Sequence, residues 1–374
     1  MKIVIIGTIA KSIFGFRAPL IKSLINNGHN VYVFANDFSN EDKKELFSIG
    51  VIPVDYDLSR SGLNPISDIK TMFYLKKKFL EIKPDLVFSY FVKPVIFGTL
   101  AAKLANVESR IAMLEGLGFV FTKQPDGEVF KTKFLKYIQV FLYKISLPQT
   151  TRLIFLNQDD REDLIIKYQI KAKNIEILGG IGLSLIDFPY KKPNLDNVTF
   201  LFIGRLLKEK GIFEFLEAAE YVKSKFPFVK FIILGETDIT SPNALPIYKL
   251  TNLVERQIIE YPGQVLNVKE WIEKSSVFVL PSYREGLPRS TQEAMAIGRP
   301  IITTNVPGCK ETVVDGLNGF LIEPFNINEL ISKMIWFVQN KHKIEQMGLA
   351  SREIAVNKFD IEKINSRLFQ IMGL

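Results

Sequence analysis

Short apolar runs, hydrophobic on both faces, alternate with longer stretches of helical period through almost the whole chain. Residues 3–6, 31–35, 51–54, 86–89, 110–114, 153–156 and 175–178 have the length of buried strands. Between them, residues 19–27, 66–82, 95–105 and 160–168 place apolar side chains three and four apart, as a helix does. A strand that is apolar on both faces must be covered on both sides. A helix after each strand supplies that cover, so the pattern predicts a parallel sheet between two helical layers. A polar stretch at 191–197, with Pro189 and Pro193 beside it, reads as a linker. The alternation then restarts, with strands at 198–203, 229–234, 277–280 and 301–303 and helices at 212–225, 268–275 and 291–296. Helices at 327–339, 341–357 and 361–372 close the chain. The expected class is α/β, with two doubly wound domains facing across a cleft. In such sheets ligands bind beyond the carboxyl ends of the strands.

Composition narrows the partners. Hydrophobic residues make up 47% of the 374, with 30 Phe, enough for two large cores. The single cysteine, Cys309, excludes an intrachain disulfide framework and fits a reducing compartment. The opening apolar run at 3–6 is too short for a secretion signal. No stretch reaches the roughly 18 apolar residues that span a bilayer. A cytoplasmic or membrane-surface protein is expected. Residues 1–180 hold 25 Lys and Arg against 18 Asp and Glu, whereas residues 181–374 hold 23 against 22. The basic excess therefore belongs to the first half and suits an anionic acceptor or an anionic lipid surface. No basic cluster has the spacing of a nucleic-acid reader, so no nucleic acid is expected.

The richest stretch runs from 279 to 311, VLPSYREGLPRSTQEAMAIGRPIITTNVPGCKE. Glu285 and Glu293 stand on either side of a glycine turn and a helix start. A helix N-terminus seats phosphate through its free N–H groups. Carboxylates beside it repel phosphate and suit hydroxyls at the two ends of a diphosphate. On one helix, eight residues would separate them by about 12 Å. Arg205 and Lys210 lie in Gly204-Arg205-Leu206-Leu207-Lys208-Glu209-Lys210-Gly211, between a strand and a helix, so both cations belong at the carboxyl edge of the second sheet. Two cations around one turn can converge on a diphosphate, Arg as a fork and Lys as a point charge. In the first half, the strand at 3–6 runs into Gly7 to Gly15 and a helix from about Pro19. Gly15 would let backbone approach a phosphate, although GxGxxG is absent. A plain flexible turn explains this segment equally well.

Gly204-Arg205-Leu206 with Lys210-Gly211, then Pro281-Ser282-Tyr283-Arg284-Glu285-Gly286-Leu287-Pro288 and Glu293-Ala294, resemble the retaining GT-B glycosyltransferases of family 4. The likeness is most specific from 200 to 320. It implies metal-independent, cofactor-free transfer from a UDP-sugar with retention at the anomeric carbon. Arg205 and Lys210 would bind the diphosphate and stabilise the departing nucleotide. Glu285 would bind hexose hydroxyls and Glu293 the ribose. Backbone at Gly286, Leu287 and Thr291 would hold phosphate and sugar, with Gly204 beside it. Gly15 and Arg17 would close on the donor, and Glu115 and Gly116 would meet the acceptor. The segment Glu115-Gly116-Leu117-Gly118, with residues 59–65, resembles the subgroup that extends lipid-linked oligosaccharides, as N-acetylgalactosaminyl transferases of bacterial N-linked glycosylation do. The implied domains are 1–185, joined by a helix at 358–374 that crosses back, and 186–357.

Two features depart from the family or mislead. Many members carry a His in the loop after the fourth strand, where this chain reads Ser89-Tyr90-Phe91-Val92-Lys93-Pro94. Lys93 could stand in as a donor to sugar or acceptor phosphate, or be an ordinary surface lysine. His29 and His342 have no expected catalytic role. Transfer needs no strong protein base if the leaving phosphate takes the acceptor proton. Asp55-Tyr56-Asp57 has the look of a metal motif, yet no third ligand lies near it, and it reads as a polar strand end.

Residues 129–146, VFKTKFLKYIQVFLYKIS, place Phe130, Phe134, Tyr137, Ile138, Phe141, Leu142 and Ile145 on a helical stripe. Lys131, Lys133, Lys136 and Lys144 accompany it without one acid. Such a helix suits an anionic membrane surface; a core-facing helix with solvated lysines is the competing reading. The favoured function is transfer of an N-acetylhexosamine, GalNAc first, from UDP to an undecaprenyl-diphosphate-linked saccharide at the cytoplasmic face of the inner membrane. Alternatives are another hexose donor or acceptor in O-antigen or capsule assembly, an epimerase or phosphorylase of the same fold, and a non-catalytic nucleotide-sugar-binding protein.

Overall fold

The computed structural model describes residues 1–58, 64–125, 127–238, 241 and 243–374. The first sheet contains β1 (Lys2–Ile6), β2 (Asn30–Ala35), β3 (Val51–Asp55), β4 (Leu86–Tyr90), β5 (Ser109–Leu114), β6 (Arg152–Phe155) and β7 (Ile175–Ile177). Their order is β3-β2-β1-β4-β5-β6-β7, and the paired strands run parallel. The second sheet contains β8 (Thr199–Ile203), β9 (Lys230–Leu234), β10 (Glu260–Gly263), β11 (Val277–Leu280), β12 (Ile301–Thr304) and β13 (Gly319–Ile322). Its order is β10-β9-β8-β11-β12-β13, again parallel. Each order reverses direction at its first strand, between β1 and β4 and between β8 and β11, and ligands bind at such reversals.

The central strands are buried because they are apolar on both faces. Ile3 to Ile6, Phe88, Phe200 and Val277 to Val279 are sealed from solvent. Phe200 stacks on Phe231 with ring centroids 5.4 Å apart, so β8 and β9 share an aromatic layer. The chain divides into two compact units. One comprises Met1–Phe121, Val129–Ile181 and Ile364–Leu374; the other comprises Thr122–Glu128 and Gly182–Lys363. The returning segment thus joins the first unit from Ile364. Residues just before it stay with the second, because Leu183 accepts from the Ile361 amide and donates to the Phe359 carbonyl.

The first helix differs from expectation. Residues 10–26 are helical throughout, with a π-type turn over Ile13–Arg17, and not only from Pro19. The cause is Asp37, after β2, whose carboxylate accepts the Ala10 amide at 2.6 Å and starts the helix early. Gly15 therefore lies inside a helical turn and not in a flexible loop. Two further π-type turns, Pro94–Gly98 and Glu162–Ile166, follow β4 and β6. Such turns are often found at functional sites.

Helix Phe130–Ser146 leaves part of the lysine-rich stripe exposed. Val140 and Tyr143 are buried, whereas Phe130 is 85% exposed and Tyr137 72% exposed. Phe134, Phe141 and Ile145 are exposed with them. These five side chains face away from the core that the helix packs on, whereas Leu135, Leu142 and Tyr143 pack against it.

Candidate functional site

In the second unit, the turn after β8 carries Gly204, Arg205 and a 3-10 turn, Lys208–Lys210. Gly211 follows at φ +73°, and a Cβ there would fall 2.1 Å from the Pro281 carbonyl oxygen. Only glycine allows this turn to lie on the start of the 281–288 loop. The Tyr283 amide then donates to the Glu209 carbonyl at 2.9 Å. That docking brings the Lys210 ammonium to 2.5 Å from Glu285 Oε1, and Ser282 Oγ donates to the same oxygen at 2.8 Å. Lys210 and Glu285, distant in sequence, are one ion pair.

The loop is held from below as well. Thr303 Oγ1 donates to the Leu280 carbonyl at 2.7 Å, and the Thr304 hydroxyl donates to the Ser282 carbonyl. The Glu285 amide donates to the Pro307 carbonyl at 3.0 Å. Gly308, at φ +80°, lies so close that a Cβ would sit 2.2 Å from the Glu285 carbonyl oxygen. Cys309 is buried under this loop, and burial pushes its thiol up to about 12. It is a small core residue here.

Helix Arg289–Ile297 begins at Pro288 with no side-chain cap. Its first-turn amides are therefore available to an anion. Ser290 Oγ donates to the Ile203 carbonyl at 3.2 Å, which fastens the helix start to the end of β8. Thr291 and Gln292 are sealed from solvent. Glu293 accepts from Arg289 Nε at 2.9 Å, and Arg289 also donates to the Gly182 carbonyl. Burial raises the Glu293 carboxyl above the usual range, while the Arg289 guanidinium draws it down.

Arg205 is half exposed, with the Asp238 carboxylate, after β9, at 3.9 Å. Arg205 and Lys210 thus share a turn but have different partners. Lys210 neutralises Glu285. Arg205 keeps its fork toward solvent.

The first unit arranges its expected residues differently. Arg17 is 2% exposed and paired with Glu115, which is 7% exposed. These two residues, expected to face donor and acceptor, face each other. Gly15 is exposed, and a Cβ added there would meet nothing within 4 Å, so the fold itself does not require glycine at this position. Lys93 Nζ is 2.9 Å from Asp68, a buried acid on helix Pro65–Ile82, which ties it to that helix. Phe91 in the same loop adopts φ +69°, a conformation that costs a non-glycine residue on the order of 1–3 kcal/mol. Gly116 and Gly118 have left-handed backbone, and Leu117 between them is buried. Lys131 and Lys133 are exposed; Lys136 lies 5.1 Å from the Phe121 ring. Of the 59–65 segment, 59–63 lie outside the described residues, and Asn64 caps helix Pro65–Ile82. Asp55 ends β3 and pairs with Lys43 at 2.5 Å. Among the described residues no group of three His, Cys, Asp or Glu could hold a metal.

Ser282, Thr303, Thr304, Asp238 and Arg289 are supporting residues that sequence reasoning passed over. Arg289 carried a signal: a cation in the first turn of a helix opposes the dipole, so it needs a specific partner.

Residues 186–354 match the family described as Glycosyl transferases group 1, and residues 2–157 match the family described as Glycosyl transferase 4-like. The chain is a GT-B glycosyltransferase of this type. It is 29% identical to the N,N'-diacetylbacillosaminyl-diphospho-undecaprenol alpha-1,3-N-acetylgalactosaminyltransferase of Campylobacter jejuni, over 91% of this chain and 90% of that protein. It is 28% identical to the UDP-Gal:alpha-D-GlcNAc-diphosphoundecaprenol alpha-1,3-galactosyltransferase of Escherichia coli, over 81% and 78%. The crystal structure of Anabaena HepE in complex with UDP-glucose superposes at a TM-score of 0.78 and 16% identity, over 100% of this chain and 99% of that one, a likeness of fold. The glycosyltransferase therefore carries its Lys210–Glu285 pair, its uncapped helix start and its Arg205 fork on the group 1 half. The exposed aromatic helix lies on the family 4-like half.

Proposed function

We propose that this glycosyltransferase moves an N-acetylhexosamine, GalNAc favoured, from UDP to an undecaprenyl-diphosphate-linked saccharide with retention of configuration. The observation that carries the chemistry is the 2.5 Å contact between Lys210 and Glu285 beside an uncapped helix start. An ammonium has three donors. One holds Glu285, and others are directed to the diphosphate. Arg205 adds a planar fork, and the amides of Leu287, Arg289, Ser290 and Thr291 add partial positive charge. As the bond between sugar and phosphate breaks, negative charge grows on the leaving diphosphate. Preorganised cations at that point lower the barrier without reorganisation, and no metal is needed for this role. Glu285 accepts hexose hydroxyls, Glu293 accepts the ribose hydroxyls, and the leaving phosphate takes the acceptor proton.

The acceptor class rests on the names of the relatives above, both of which act on diphosphoundecaprenol-linked sugars. Helix Phe130–Ser146 supports it: its exposed aromatics and its lysines are suited to lie in the headgroup region of an anionic bilayer. No helix among the described residues is long and apolar enough to cross a membrane, and a peripheral seat at the cytoplasmic face fits this reading. UDP-galactose is the second donor reading, favoured by the Escherichia coli relative.

A panel of UDP-, GDP- and dTDP-sugars against a bacterial lipid extract, with product masses read out, tests the proposal. A mass increment of one N-acetylhexosamine on a lipid-linked saccharide is expected with UDP donors only. A hexose increment selects the second reading. UDP binding with no product from any donor leaves the non-catalytic alternative.

A further inference from the structure

Arg17 and Glu115 form a buried ion pair that links the helix after β1 to the loop after β5. The Arg17 guanidinium lies 4.3 Å from the centroid of the Tyr90 ring, at the end of β4, and 6.0 Å from that of Phe88. Tyr90 is sealed, its phenol is pushed up to about 12 by burial, and its hydroxyl lies 3.0 Å from Ser12 Oγ. Tyr56, after β3, donates its hydroxyl to the Gly7 carbonyl, after β1. Polar side chains thus lace together the carboxyl ends of β1, β3, β4 and β5. A buried ion pair is a poor way to gain stability, since apolar residues of similar volume are often as good or better. What it provides is direction: the contact ties Glu115, and with it the start of loop 115–118, to the helix after β1. The other side of that loop is also held. Gln139, on helix Phe130–Ser146, donates from Nε2 to the Leu117 carbonyl at 3.0 Å, and Tyr143 OH lies 3.3 Å from the same nitrogen.

We propose that Arg17 is a positioning residue that, through Glu115, sets loop 115–118 for the lipid-linked acceptor, and that Gln139 couples the seating of helix Phe130–Ser146 to the same loop. Arg17 then does not touch the donor phosphates, and Glu115 acts by holding its loop. The assignment of acceptor binding to this loop rests on the function proposed above.

The test compares the full-length wild type with Arg17→Met/Glu115→Leu, Glu115→Gln and Gln139→Leu. Thermal unfolding, UDP binding by calorimetry, transfer kinetics and backbone hydrogen exchange over 115–118 are read on each. Apolar replacement of both partners is expected to keep the fold and the UDP affinity. Exchange over 115–118 should rise, and kcat/KM for the lipid acceptor should fall roughly 10- to 100-fold through displaced geometry. Gln139→Leu should show the same acceptor loss on bilayers and a smaller one on a detergent-dispersed acceptor. Loss of UDP affinity in step with acceptor kinetics would make Arg17 a donor ligand and overturn the proposal. Unchanged exchange and unchanged acceptor kinetics in a folded variant would overturn it as well. If the double variant does not fold, Glu115→Gln, which keeps shape and removes charge, decides by the same readouts. If the wild type transfers nothing to a lipid-linked acceptor, the proposed function fails, and hydrogen exchange still decides whether the pair holds the loop.

Discussion

Replacing Lys210 with Ala removes a cation from the phosphate edge and also leaves Glu285 facing that edge with only the Ser282 hydroxyl. The two consequences have different sizes. Loss of one preorganised group at a developing charge typically costs 100- to 1,000-fold in kcat, about 2.7–4 kcal/mol. An uncompensated carboxylate adds repulsion to any approaching diphosphate and should weaken UDP binding. Glu285→Gln alone removes a charge-assisted hydrogen bond and frees the ammonium, a loss of about 1.5–3 kcal/mol when such a bond goes to substrate. The double variant separates these effects. If Lys210 acts on the diphosphate directly, Lys210→Ala/Glu285→Gln regains some UDP affinity relative to Lys210→Ala but keeps the deficit in kcat. If Lys210 serves only to place Glu285, the double variant is no worse than Glu285→Gln. Single-turnover transfer with saturating UDP-sugar and lipid-linked acceptor gives the chemical step, and calorimetry gives UDP affinity. Wild-type turnover in a folded Lys210→Ala protein would refute the electrostatic role, and a double variant equal to Glu285→Gln would confine Lys210 to positioning.

Three further outcomes are expected. Because burial raises Glu293, the folded protein keeps that proton at pH values where the unfolded chain has lost it. This group's contribution to stability is therefore full below the ordinary 4.5 and declines as pH rises through the raised value. UDP affinity should climb over the same window as the carboxylate becomes a ribose acceptor, and Glu293→Gln should flatten both curves; a flat wild-type affinity removes Glu293 from the ribose. Gly15→Ala and Gly308→Ala should differ in kind. The first, with open space around its Cβ, should hold or raise stability by up to about 1 kcal/mol and lower transfer, whereas the second collides with the Glu285 carbonyl and should lower melting temperature and transfer together. Unchanged transfer in Gly15→Ala removes the close backbone approach. Changing Lys131, Lys133 and Lys136 to Glu should reduce binding to anionic liposomes and transfer to lipid acceptor while UDP affinity is kept; unchanged liposome partitioning would exclude helix Phe130–Ser146 as the docking surface.

The sheets were legible because their central strands bury both faces and so must be written as continuous apolar runs. In the first sheet even the edge strands β3 and β7 were legible, but in the second sheet legibility falls off at the edges. β10, with the sequence Glu-Tyr-Pro-Gly, has no apolar run, and proline is tolerated there because an edge strand leaves one row of amides unpaired. β13 is four residues long and also lies at an edge. Helix Asn40–Ser48 buries only Leu46, so no stripe marks it, although Ser39 and Asp42 form a complete capping box that could have announced its start. These short edge strands of the second sheet and this thinly packed helix are specified by neighbours and caps more than by their own hydrophobicity, and a periodicity reading does not see those.

The site divides along the same line. Glu285, Glu293, Arg205 and Lys210 were candidates because a loop between a parallel strand and a helix must end at the sheet's carboxyl edge, where such sheets bind ligands. Who pairs with whom was not legible. Lys210 meets Glu285 because Gly211 rests on the Pro281 carbonyl and Gly308 on the Glu285 carbonyl, two contacts that place backbone against backbone with no side chain between. Arg17 meets Glu115 because a π-type turn carries the guanidinium inward over Tyr90, whereas a helix from Pro19 would have left it in a loop. The same kind of residue, a cation just past a strand, therefore ends exposed in one half and buried in the other. Arg205, half exposed and 3.9 Å from Asp238, keeps most of its hydration and can trade it for a phosphate. Arg17 has already traded it for Glu115 and the Tyr90 ring, and a phosphate would have to break that pair before it gained a contact. Position at the edge selects which residues are candidates, and desolvation decides which of them remain available to a substrate.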